Sequence, residues 1–136
     1  MAAIANKVVK KADELTNITY DALVGAAGDN ADAFWRQDTG AAVGLPTGLR
    51  ATLRFRTGWN GPKTARKALI TFERPYATQD TTTTLYSAKD RVIGRLELVL
   101  PQAIPATELN ESVHQFLNLL AETATKTALD SGYAPT

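Results

Sequence analysis

The chain has 136 residues, 44% hydrophobic and 21% charged, with a formal net charge of +1; this is the composition of one folded domain of ordinary size, not of a disordered chain. It contains no cysteine, which excludes disulfides and thiolate metal sites, and no apolar run approaches the roughly 20 residues a membrane span needs. The start, MAAIANKVVKKADELTN, lacks the apolar core of a signal peptide, because Lys7, Lys10 and Lys11 interrupt it.

Residues 3–15 read as a short amphipathic helix, with Ile4, Val8, Ala12 and Leu15 near helical spacing. Such a helix is marginal alone and must pack on something. NITYDALV and DAFWRQDT flank the turn-rich GAAGDN and are expected to form a hairpin. TGAAVGLPTG follows as a loop with room for a short strand.

Residues 49–57 alternate with period two, the mark of a strand buried on one face. Leu49, Ala51, Leu53 and Phe55 share one parity; Arg50, Thr52, Arg54 and Arg56 share the other. GWNGPKT is a turn cluster. RKALITFER, 66–74, is a second strand, with Ala68, Ile70 and Phe72 on one face and Lys67, Leu69, Thr71 and Glu73 on the other. Pro75 is expected to end it, because it offers no ladder N–H. YATQDTTTTLYSAKD reads as a long polar connection of a length at which loops are often functional. RVIGRLELVL, 91–100, is a third strand: Val92, Leu96, Leu98 and Leu100, with Gly94 between, point to the core, while Ile93, Arg95, Glu97 and Val99 face the other way.

After Pro101 the period changes to 3.6. Thr107 is the expected N-cap, with Glu108 and Glu111 in the first turn, where the helix dipole favours carboxylates. Leu109, Val113, Phe116, Leu117 and Leu120 make one apolar stripe. A second helix over about 122–130 ends at Ser131-Gly132. Strands first and helices last give an α+β chain, an antiparallel sheet with two C-terminal helices on one face. We read it as a single domain, 1–136: a helical extension over 1–16, a hairpin and a main sheet of about five strands over 17–104, and the helices over 105–132.

The charge is uneven. Residues 50–100 carry ten Lys/Arg against four Asp/Glu, and no acidic residue lies between Thr39 and Phe72. If the three central strands are neighbours, one face shows Arg50, Thr52, Arg54, Arg56, Lys67, Thr71, Glu73, Arg95 and Glu97, five basic residues against two acidic ones. A solvated sheet face is the ordinary explanation for charged strand positions. The surplus argues for more, since directly opposed like charges destabilise a sheet. Phosphates would relieve it by releasing their counterions, and threonine and glutamate among the arginines can reach base edges.

The run LRATLRF…NGPKTARKALITFERP…RLELVLP…ELNESVHQFLNLLA…SGYAPT resembles the coat proteins of the single-stranded RNA bacteriophages, the leviviruses, over about residues 40–136. The resemblance rests on the combined order, spacing and length of these pieces. It implies a homodimer with one continuous sheet, C-terminal helices exchanged onto the partner, and dimers tiling an icosahedral shell. It also implies an inner sheet face that binds genomic RNA and in several members grips a hairpin that represses replicase translation. The loop about Ala77–Asp90 would meet its copies around symmetry axes. By strand position the family's RNA-facing residues fall on the polar face above, together with Leu69 and Ile93; Ile93 stands where some members stack a base on a tyrosine.

The other conspicuous residues carry less. His114 shares the polar side of its helix with Asn110 and Asn118 and reads as solvated rather than catalytic. Asp29 and Asp32 flank a turn and suit turn chemistry better than metal binding. Glu73 and Glu97 on an arginine-rich face are better read as cross-strand partners than as a hydrolytic pair. Trp59 sits in a turn, with core packing and subunit contact equally open and RNA stacking a third reading. No phosphate loop or nucleophile elbow occurs. The expectation is therefore a virion structural protein, not an enzyme, without cofactor, metal, membrane or small-molecule substrate. Leu109, Val113, Phe116, Leu117 and Leu120 would form its dimer interface, and RNA would be its partner. The alternative is a non-viral, dimeric single-strand-binding module that forms no shell.

Overall fold

The computed structural model describes residues 2–40 and 44–136. Its sheet has six strands in the order of the chain: β1 (Lys7–Lys10), β2 (Asn17–Val24), β3 (Asp32–Arg36), β4 (Thr52–Trp59), β5 (Ala65–Gln79) and β6 (Tyr86–Pro101). Two helices follow, α1 (Ala106–Leu120) and α2 (Thr123–Ser131). The chain divides into two compact units, Met1–Val99 and Leu100–Thr136. The short strand allowed within TGAAVGLPTG falls partly on 41–43, outside the described residues; Thr47–Leu49 form a 3₁₀ turn.

Residues 2–16 do not form the expected helix. Lys7–Lys10 pair antiparallel with β2, Lys7 opposite Tyr20 and Lys10 opposite Asn17. The adjacent β-branched residues Val8 and Val9 suit a strand, and a helix this short lacks the length to repay nucleation. The hairpin closes through Asp13, whose carboxylate accepts the backbone N–H groups of Leu15 (2.9 Å) and Thr16 (2.8 Å) and the Thr16 hydroxyl. The Thr16 hydroxyl, with these N–H groups, holds the Asp13 carboxyl at a pKa of about 2. Asn6 ties the strand further, accepting the Ala22 N–H at 2.8 Å. The Trp35 indole N–H donates to the Ala5 carbonyl at 2.8 Å, and the Lys7 ammonium lies 4.8 Å from the indole ring.

The three central strands follow the expected period. β3, β4 and β5 run in register, so Trp35, Leu53 and Phe72 lie in line, as do Ala33, Phe55 and Ile70. Tyr20, Ala33, Trp35 and Ala51 are buried, and Ile18, Ala22, Leu53, Phe55 and Phe72 pack half-buried around them. A Cβ built on Gly94 would meet the Phe72 side chain at 3.7 Å. Gly94 therefore shares this apolar face, and Leu96 and Leu98 follow it by parity. Val92, expected in the core, is 65% exposed, because β6 there is part of an exposed hairpin arm.

That arm replaces the expected long loop. Pro75 does not end β5, which continues to Gln79. The ladder with β4 stops at Thr52 opposite Glu73, so Pro75 lies beyond the last β4 pair, where a missing N–H interrupts no bond to that strand. Only 80–85 turn, with the Asp80 carboxylate accepting from the N–H groups of Thr82 (2.7 Å) and Thr83 (2.9 Å).

In the second unit, α1 starts with Pro105 rather than Thr107 at the N-cap. A proline there needs no N–H and no side-chain cap is made. Glu108 occupies the first turn as expected; Glu111 lies beyond it and accepts from Gln115 at 2.7 Å. In α2 the Glu122 carboxylate caps the Thr125 N–H at 3.1 Å, and Gly132 closes the helix at φ 76°, in the left-handed region.

Candidate nucleic-acid interface

The face opposite the core carries the polar parity of the strands. Cross-strand register sets out three rows over β3, β4 and β5: Asp32–Arg56–Leu69, Phe34–Arg54–Thr71 and Arg36–Thr52–Glu73. Lys67 stands opposite Gly58 one row further on. Since Gly94 points to the apolar side, Ile93, Arg95 and Glu97 fall on this side, and all three are exposed. Arg91 has the same parity and donates to Glu73 at 2.9 Å. The expected residues Thr52, Arg54, Arg56, Lys67, Thr71, Glu73, Arg95 and Glu97 are thus brought onto one face. Arg50 joins them from the end of the 3₁₀ turn. An open concavity of about 590 Å³ lies over the middle of this face, lined by β3, β4 and β5 and by Thr47–Gly48.

The arginines are not a bare row. Arg56 makes a two-pronged pair with Asp32, at 2.7 and 3.1 Å. Arg50 donates to Asp38 at 2.9 Å and to the Leu45 carbonyl at 2.9 Å. Asp38 also accepts two bonds from Arg36, at 2.6 and 2.9 Å. Of the arginines on β4, Arg54 is held the more loosely: its guanidinium is 3.8 Å from Asp32, its side chain is 58% exposed, and it lies 5.2 Å from the Phe34 ring. The hydrogen bond from Arg56 holds the Asp32 carboxyl below the usual carboxylate range, and that from Arg36 does the same for Asp38. Both stay ionised at neutral pH and offset part of the positive charge.

With Asp32 and Arg36 of β3, Asp38 just beyond it, Asp21 of β2 and Arg91 of β6 added to the expected face, seven basic side chains (Arg36, Arg50, Arg54, Arg56, Lys67, Arg91, Arg95) stand with five acidic ones (Asp21, Asp32, Asp38, Glu73, Glu97). The surplus survives at two rather than three. Asp32 was assigned to turn chemistry from sequence; it is instead the cross-strand partner of Arg56, because β3 begins with it and the register places the two opposite. Asp29 likewise pairs with Arg66 at 2.8 Å. Phe34, Arg36, Asp38 and Arg91 were missed. The alternation in DAFWRQD was the available signal for the first three, since it places Asp32, Phe34, Arg36 and Asp38 on the side opposite Trp35. Trp59 belongs neither to the core nor to this face: it closes β4, is 38% exposed, and stacks under Arg66 at 4.9 Å.

The stripe expected at the dimer interface lies on α1, which has no buried residue. Phe116, Leu117 and Leu120 are 37%, 41% and 37% exposed, and Leu109 and Val113 half-buried. His114 is exposed on the same helix.

No protein-family model and no curated protein matches the chain. Solved structures do. The virus-like particle of Beihai levi-like virus 21 aligns with a TM-score of 0.80 at 12% identity over 99% of each chain. The bacteriophage EMS014 coat protein aligns at 0.77 and 12%, over 99% of this chain and 100% of that one. The bacteriophage GA capsid protein aligns at 0.72 and 14%, over 98% of both. The chain has the fold of the RNA phage coat proteins along its whole length.

Proposed function

We propose, from that fold, that the chain is a coat subunit of a single-stranded RNA phage. Two copies form a homodimer, dimers close an icosahedral shell, and the arginine-bearing sheet face turns inward onto genomic RNA. The observation that carries this reading is the grid of cations on one sheet face of a full-length coat-protein fold. Phosphates can take the place of Asp32 and Asp38 on the arginines, and each neutralised phosphate releases counterions. Loosely held Arg54, and Lys67 and Arg95, which make no ion pair among the described residues, are the first to engage.

Dimerisation follows from what the single chain leaves uncovered. No large side chain is fully buried among the described residues, and the apolar face is covered only in part. The α1 stripe is a matching apolar surface. Exchange of helices between two copies would bury both, and a monomer would have little stability of its own.

The test is Arg54→Ala with Lys67→Ala. Purified particles of the double variant are expected to contain less RNA. Removing two phosphate contacts should lower the slope of log affinity against log salt by about 1.4 on single strands. Unchanged RNA content and slope would remove the face from the account while leaving the shell.

A further inference from the structure

A large aromatic ring in the middle of a charged sheet face needs an explanation. Phe34 is flanked along β3 by Asp32 and Arg36 at its same-face positions, and it lies outside the cluster built on Trp35 and Ala33. Its cover is the Arg54 guanidinium, 5.2 Å from the ring. That cover is weakly held: the Arg54 side chain is 58% exposed and meets Asp32 only at 3.8 Å, whereas Arg56 meets it at 2.7 Å. Phe34 is half-buried, with its ring on the open concavity; a cation over a solvent-facing ring is a modest contact, and a nucleobase presents a larger π-face to the same ring. Phe34 and Arg54 both line the concavity of about 590 Å³, with Thr52 diagonal to the ring.

We propose that Phe34 is a stacking platform for an unpaired base of single-stranded RNA. The base takes the place of the Arg54 guanidinium on the ring, and Arg54 moves to the phosphate of the same nucleotide. Thr52 offers its hydroxyl to the base edge. The platform is tolerant of sequence, because every base has a π-face. This rests on the RNA-facing assignment above and adds to it a contact that reads base rather than backbone.

The experiment compares two oligoribonucleotides of equal length, one of unpaired adenosines and one abasic, binding to the purified full-length protein. The wild type should bind the adenosine strand on the order of ten-fold more tightly. Phe34→Leu should remove most of that preference and leave the abasic affinity unchanged, while Phe34→Trp keeps it. Equal binding of the two strands by the wild type, or full preference in Phe34→Leu, overturns the platform. If the abasic strand binds with normal salt dependence but the preference is absent, the platform fails and the arginine face stands. If neither strand binds, both fail.

Discussion

Asp32 and Asp38 set how much positive charge the polar face leaves unpaired. Each is held ionised by arginine and occupies guanidinium groups that phosphate would have to win under the function proposed above. Asp32→Asn should free Arg56 and raise affinity for single-stranded RNA at fixed salt, steepening the slope by about 0.7; filter binding over a salt series reads this, and an unchanged slope would show that Arg56 does not meet phosphate. The same carboxylates set an acid limit. Their folded-state pKa values lie below the unfolded ones, so their stabilisation is complete above about pH 4 and is lost as pH falls through the depressed values. Thermal melts between pH 6 and 2 should therefore show a decline that begins below about pH 4 and is shallower in Asp38→Asn. Trp35 donates to the Ala5 carbonyl just before β1, lies under the Lys7 ammonium and is buried in the core; Trp35→Phe removes the bond and part of a buried ring and should cost about 2 kcal/mol, read as a lowered denaturation midpoint.

Among the elements, period-two alternation made the central strands legible: the faces of β4 and β5 are those their sequences imply, and the polar parity of β4, β5 and β6 yielded most of the candidate site. Where reading failed, partners outweighed local pattern. Residues 3–15 have apolar residues at near-helical spacing, yet β2 offers Lys7–Lys10 a ladder and Asp13 a turn. Pro75 is a strand breaker only where a neighbour needs its N–H. The threonine run looked like loop, but Asp80 gathers it into a tight turn and the flanking residues extend both strands. Pairing of charges was the least readable feature, because it depends on the register of β3 against β4, which spacing alone does not fix. The C-terminal signal was plain: Gly132 is the left-handed cap of α2. Gly132→Ala should cost about 1 kcal/mol, visible as faster amide exchange in the last turn of α2; unchanged exchange would mean the cap does not hold the helix.

The whole molecule carries an apolar sheet face and an apolar α1 stripe that the single chain leaves partly uncovered, and a cationic face on the other side of the sheet. The comparisons show the fold; the inward direction of the cationic face belongs to the function proposed above. Electron microscopy of the purified protein tests the central claim most directly. The account expects closed particles with copurifying RNA and density for that RNA against the β4–β5 arginines. Free dimers at high concentration, or shells in which Arg54 and Arg56 point to the outside, would contradict it.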